Sequence, residues 1–419
     1  SEKVDSLRLR QAFGALLVLN AGIALLQILL APYAAEYFRQ PIIADLLRVQ
    51  ALIFLATPFI VLPEALMARN LEFKKTALVN LLSAIVGAVV ALTSAMNGLG
   101  VWTLVYAALA IFWTQAIGLF LSARMFIWPS FDFRGAKQMF TFGGTVLLAH
   151  VFWTIQSQSD IFIASRSLSI HELGLYAEAL FLTTIFTAKF VPPLNEIAFP
   201  AYSRIQDDPG AVRWSFLKAV RLIMLIACPI YFGMAVTAQE LVHVVLGKKW
   251  IGMAPIVAVL ALVMPLMTLQ ILFAPANNAL GRPQISARVT MFGAVVMPLA
   301  FMIGVNFGVM GLAYAWVAGF PLLTVFTFQQ SYKHLGISAG DIARALWPGL
   351  STSLAMAVIV YLANNILPEM LIYARLGVLL AIGGAIYLGL LYAVARPTFD
   401  EVIQFIMHRK SPEQPQDSI

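Results

Sequence analysis

Residues Thr76–Met96 read TALVNLLSAIVGAVVALTSAM, a run without a charged side chain. A helix needs about 20 apolar residues to span a bilayer, because each residue advances it about 1.5 Å. The apolar residues do not alternate with polar ones as a membrane β-strand requires, so the run reads as helix and not as part of a barrel. On its N-terminal side lies the basic pair Lys74-Lys75. On its C-terminal side the turn Asn97-Gly98 leads into another apolar run.

Working outward, the same reading gives twelve candidate spans. They are Gln11–Tyr33, Ala44–Met67, Thr76–Met96, Val101–Ala123, Gln138–Ile163, Gly174–Ala198, Phe216–Val236, Met253–Phe273, Ala287–Val305, Met310–Gln329, Arg344–Ile366 and Tyr373–Ala395. Over all 419 residues, 61% are hydrophobic, 11% are charged and the mean hydropathy is +0.86. Soluble globular chains are about 45–50% apolar and about 25% charged. The composition therefore excludes a soluble enzyme, a disordered chain and a nucleic-acid-binding domain. The fold class is all-α: a polytopic membrane protein of about twelve spans. The one cysteine, Cys228, lies in an apolar run beside Pro229 and reads as a packing residue. Prolines inside spans (Pro58, Pro63, Pro265, Pro298, Pro321) and the pairs Gly143-Gly144 and Gly383-Gly384 mark places where helices bend or pack closely.

Basic residues set the expected orientation. Threading from the first span places 20 Lys and Arg on one side, among them Lys74, Lys75, Arg204, Arg213, Lys218 and Arg221. Six fall on the other: Arg39, Arg48, Arg166, Lys248, Lys249 and Arg375. Positive charge stays inside, so both termini are expected in the cytoplasm. The net charge of +7 is then a matter of topology and anionic lipid, with no nucleic acid involved. No signal peptide is expected. The longest hydrophilic segments are Ser203–Arg213, Tyr332–Ala343 and the tail after Arg396. In that tail Phe399–His408 reads as an amphipathic helix and SPEQPQDSI as disordered. With no nucleotide-binding domain and no GxxxxGK[ST] motif, transport would be passive, ion-coupled or dependent on a partner.

An internal repeat is visible. Gly100–Ala107, GVWTLVYA, matches Gly308–Ala315, GVMGLAYA, at an offset of 208, and Asn70 falls on Asn278. Two related halves suit a transporter. The expected organisation is an N-terminal bundle of four spans over 1–124 and a six-helix bundle over 138–330. Two further spans over 344–395 and a cytoplasmic tail over 396–419 complete it. Spans one to four align with spans seven to ten. The first bundle is therefore expected to lack two helices present in its counterpart, unless the protein is simply shorter.

Charged groups inside spans are costly and are functional candidates by default. Glu178, Lys189 and Glu196 fall within about 20° of one helical face. They are expected to face a water-filled cavity or partner charges, the alternative being a structural Glu–Lys pair with an interfacial Glu196. Pro192-Pro193 is expected to break the helix between Lys189 and Glu196. In the fifth span Trp153, Gln156 and Asp160 share a face, near Ser157 and Ser159. Asp160 is a candidate carrier of a proton or a sodium ion, or else a static partner of Arg166 or Lys189. Lys218 and Arg221, one turn apart, suit a diphosphate or snorkel to headgroups. Arg48 and Glu64 are weaker candidates of the same kind. His150, His171, His243, His334 and His408 are too scattered for a metal site, and no catalytic grouping is visible. Trp102, Trp113, Trp128, Trp250 and Trp347 read as interfacial anchors.

The stretch Phe199–Leu222, FPAYSRIQDDPGAVRWSFLKAVRL, resembles the connection between the sixth and seventh helices of Wzx-like bacterial oligosaccharide flippases. These belong to the multidrug/oligosaccharidyl-lipid/polysaccharide exporter superfamily. Ser159-Asp160 through Arg166, LGLYAEA at Leu173–Ala179, LGKKW at Leu246–Trp250, ALGRP at Ala279–Pro283 and ARNLEFKK at Ala68–Lys75 are similar to the same family. The resemblance implies two pseudo-symmetric bundles around a cavity that opens alternately to either side of the bacterial cytoplasmic membrane. It implies a polyprenyl-diphosphate-linked oligosaccharide as substrate, proton or sodium coupling, and other polysaccharide-assembly membrane proteins as partners. On this reading Lys189, Lys218, Arg221 and Arg48 attract the diphosphate, while Asp160, Glu178 and Glu196 exchange the coupling ion. No cofactor is expected. The rival readings are a multidrug exporter of the same architecture, a membrane-embedded polymerase or glycosyltransferase, and a non-transporting assembly partner.

Overall fold

The computed structural model describes residues 6–396 apart from 71, 125–126, 135–136, 369 and 395. The tail readings at Phe399–His408 and beyond lie outside the described residues. The chain folds into two compact units, Ser1–Val146 and Leu147–Ile419.

The first unit holds α1 (Ser6–Tyr37), α2 (Ile42–Gln50), α3 (Leu52–Ala56), α4 (Pro58–Arg69), α5 (Phe73–Met96) and α6 (Trp102–Ser122). The expected second span is thus in three pieces. The last interruption falls at Thr57, where Pro58 supplies no backbone donor to the Phe54 carbonyl, while the Thr57 hydroxyl and N–H both donate to the Ile53 carbonyl. Helix α5, which carries the opening stretch, shows how the unit is built. Leu78, Leu82, Ile85, Val89 and Leu92 are exposed, whereas Ser83, Gly87 and Ser94 are buried. Large apolar residues outside and small ones inside is the pattern of a helix in lipid, where close backbone approach supplies the packing. A Cβ on Gly87 would lie 2.3 Å from Ile111, and one on Gly118 2.6 Å from Val79, so α5 and α6 meet through their glycines. The loop after α6 returns over the start of α1, where the Ser130 N–H donates to the Arg10 carbonyl.

The second unit holds most of α7 (Lys137–Ser167), then α8 (Ile170–Arg204), α9 (Pro209–Val236) and α10 (Ala238–Leu246). A 3-10 turn (Lys248–Met253) leads to α11 (Ala254–Ile271), α12 (Phe273–Ala279) and α13 (Pro283–Gly304). Three further helices follow: α14 (Gly308–Leu335), α15 (Ala339–Ile366) and α16 (Ile372–Val394). Its core lies among α8, α9, α11 and α14, around Tyr176, Phe216, Tyr231, Met264 and Phe273. Cys228 is fully buried there. Helix α15 lies along α9, close enough that a Cβ on Gly349 would sit 3.1 Å from the Met224 carbonyl oxygen. Arg213 of α9 is paired with Asp341 of α15 at 2.8 Å. The α13–α14 hairpin is tighter still, with Gly304 packed against Gly311.

Ten helical stretches among the described residues are long and apolar enough to cross a membrane. One of them, Pro283–Leu335, contains both α13 and α14. The repeated segments share local geometry: Gly100 and Gly308 both have positive φ. The preceding helix closes the same way in each, with Asn97 donating to the Thr93 carbonyl and Asn306 to the Met302 carbonyl, both at 2.8 Å.

Candidate functional site

Helix α8 carries the central candidates. It starts at a capping box: the Ser169 hydroxyl accepts from the Glu172 N–H, and the Glu172 carboxylate accepts from the Ser169 N–H at 2.9 Å. The expected break at Pro192-Pro193 does not occur. Helix α8 runs unbroken from Ile170 to Arg204 with Pro192, Pro193 and Pro200 inside it. Proline's fixed φ is itself helical. The carbonyls that lose a donor to the pair are those of the exposed Ala188 and Lys189.

Because the helix is continuous, its two faces are well separated. Tyr176, Ala179, Thr183, Thr187 and Val191 form the buried seam, each no more than 2% exposed. Glu178, Lys189 and Glu196 point about 200° away from it. Lys189 and Glu196 are exposed and Glu178 half-buried. No ion pair joins these three to one another among the described residues.

The seam is itself polar at two levels. Thr187 hydrogen-bonds to Tyr231 and, at 3.2 Å, to Thr268, tying α8 to α9 and α11. One layer away, Asp160 of α7 is fully buried and accepts from the Tyr176 hydroxyl at 2.7 Å and from the Ile161 N–H at 2.8 Å. The Trp316 indole N–H of α14 donates to the same Tyr176 oxygen at 2.8 Å. Asp160 is therefore held by the Tyr176 hydroxyl and the Ile161 N–H.

The remaining candidates lie on other helices. Lys218 is half-buried, with its ammonium 4.7 Å from the centre of the Trp214 ring, and Arg221 is half-buried one turn on. Arg48, in the first unit, pairs with Asp45 at 3.0 Å on an exposed surface, and Glu64 of α4 is half-buried.

Sequence reasoning did not single out Tyr176, Trp316, Thr187, Tyr231 or Glu240. Glu240 of α10 is buried beside Arg375 at 3.5 Å and accepts from Asn364 at 3.0 Å. It lies in a short apolar segment between two spans, where an acidic residue with no aqueous exposure is itself a signal.

Residues 1–255 match the family described as "Polysaccharide biosynthesis protein". The chain is 23% identical to the teichuronic acid biosynthesis protein TuaB of Bacillus subtilis (strain 168), over 71% of this chain and 62% of that one. It is 24% identical to the lipopolysaccharide biosynthesis protein WzxC of Escherichia coli (strain K12), over 83% of this chain and 73% of that one. The chain thus spans less than two thirds of TuaB. Among solved structures, the lipid II flippase MurJ in an inward closed conformation superposes with a TM-score of 0.76 at 11% identity. That match covers 93% of this chain and 84% of MurJ. It shows a common fold, all-helical and multi-pass.

Proposed function

The chain belongs to the polysaccharide biosynthesis protein family, and from that premise we propose that it flips a lipid-linked oligosaccharide across a bacterial cytoplasmic membrane. The observation that carries the reading is the stripe Glu178–Lys189–Glu196. It is a charged face on an otherwise apolar helix, turned directly away from the seam that α8 buries. Charges so placed are tolerated against water or a polar ligand and are costly against lipid tails. A glycan and its diphosphate cannot cross hydrocarbon unaided, whereas a polyprenyl tail stays in it.

In this mechanism Lys189, Lys218 and Arg221 attract the diphosphate, with Arg48 as a further cation. Asp160, Glu178 and Glu196 exchange a proton or sodium ion and so reset the protein. Both termini face the cytoplasm, following the charge asymmetry of the loops. The donor is delivered by other polysaccharide-assembly membrane proteins.

The test is a lipid extract from a strain deleted for this gene, analysed by mass spectrometry and scored for surface polymer. Accumulation of polyprenyl-diphosphate-linked repeat units, reversed on returning the gene, is the expected result. An unchanged lipid pool with intact surface polymer, together with drug resistance on overexpression, would replace the proposal with a small-molecule exporter.

A further inference from the structure

At the end of the second unit opposite Arg213 lies a cleft of about 470 Å³ between the end of α9, the short α10, the start of α11 and the end of α15. Its volume is that of a small-molecule site, far larger than an ion needs. Its polar lining is Gln239, Glu240, Tyr361, Asn364 and Asn365, and its apolar wall includes Ile251 and Pro255.

The chemistry of this lining is selective. Glu240 is only 5% exposed. Its Oε1 is taken by Asn364 and faces Arg375, but its Oε2 is buried with no hydrogen-bond partner among the described residues. An orphaned carboxylate oxygen in such a place lacks the donor that a ligand hydroxyl would supply. The rim amides Gln239 and Asn365 are exposed. Each offers both a donor and an acceptor to a ligand in the cleft. A phosphate would meet the carboxylate and be repelled. A metal cation would find Glu240 already countered by Arg375 at 3.5 Å, whose Nε also donates to Asn364 Oδ1 at 2.8 Å. What remains is a neutral ligand rich in hydroxyls, with C–H faces to lay on Ile251, Pro255 and the exposed ring of Tyr361.

We propose that this cleft binds a saccharide. By the threading of the basic residues it opens on the outer side, where Lys248, Lys249 and Arg375 lie. It would there receive the glycan of a translocated donor. The inference rests on the flippase reading for the source of the sugar alone, because the character of the cleft follows from its own residues.

The experiment uses the full chain in lipid nanodiscs and saturation-transfer NMR with methyl glycosides and disaccharides of glucose, galactose and mannose. Transfer to at least one of them is expected, with affinity at least tenfold lower in Glu240→Gln and in the rim double variant Gln239→Ala/Asn365→Ala. The rim variant carries the test should Glu240→Gln not fold, since both rim residues are exposed. Equal transfer in wild type and rim variant, or displacement of the sugar by inorganic phosphate, overturns the proposal. Sugar binding that survives failure of the lipid-accumulation experiment keeps the site and assigns it to free saccharides.

Discussion

Tyr176 donates its phenolic hydrogen to Asp160 across 2.7 Å while accepting one from Trp316 across 2.8 Å, so one hydroxyl couples α7, α8 and α14. Tyr176→Phe removes both bonds at once and leaves Asp160 Oδ2 and a buried indole N–H without these partners. We expect a loss of about 1–3 kcal/mol, read as a lower melting temperature in detergent. The Asp160→Asn/Tyr176→Phe double variant should lose less than the two single changes together. Strict additivity would show that the two side chains do not act as a pair.

Lys189→Ala should abolish transport while leaving the amount of protein in the membrane unchanged, because the side chain is exposed. Lys189→Arg keeps the charge and should retain part of the activity. Wild-type export by the alanine variant would remove Lys189 from the binding face.

The α13–α14 hairpin closes through Gly304 and Gly311, where a Cβ at Gly311 would lie 2.0 Å from the Gly304 carbonyl oxygen. Gly311→Val should destabilise the second unit by about 1–3 kcal/mol or more, since the backbone itself must move. Gly174→Ala is the contrast: nothing lies within 4 Å of a Cβ there, so stability should hold or rise by about 0.5–1 kcal/mol. Thermal unfolding of the two variants side by side measures the difference.

Arg375→Ala leaves Glu240 buried beside Asn364 without its cation. Breaking a buried pair from one side costs on the order of 3 kcal/mol. Removing both partners in Glu240→Ala/Arg375→Ala should restore part of the loss, and denaturant unfolding of the three variants checks it. A double variant no more stable than Arg375→Ala would mean that the cation supports the fold through Asn364 instead.

The helices were legible because bilayer solvation is written locally: uninterrupted apolar runs, basic loops and Asn-Gly turns sit in consecutive residues. Lys189 stood out as a candidate for the same reason, as a charge inside an apolar run. The breaks in the chain were harder. Pro58 ends a helix whereas Pro63, Pro192-Pro193 and Pro265 lie inside unbroken ones, so a proline alone does not place a break. The network around Asp160 was not legible. Trp316 is 140 residues from Tyr176, and neither stands out among aromatic residues that anchor spans elsewhere. Glu240 stood out only as an acidic residue between two spans, and its grouping with Asn364 and Arg375 was hidden until α10, α15 and α16 brought them together.

The charged stripe of α8 bears on biogenesis as well as on the transport proposed for it. Helix α8 is the least apolar of the ten candidate spans, and its charges and prolines penalise its exit from the translocon as an independent segment. It follows α7 after a connection of only two residues, Leu168 and Ser169, closed by the capping box. The two helices can therefore enter the bilayer as one hairpin, with Tyr176 already beside Asp160. The order in which the ribosome delivers these helices thus becomes part of how a costly polar face reaches the membrane.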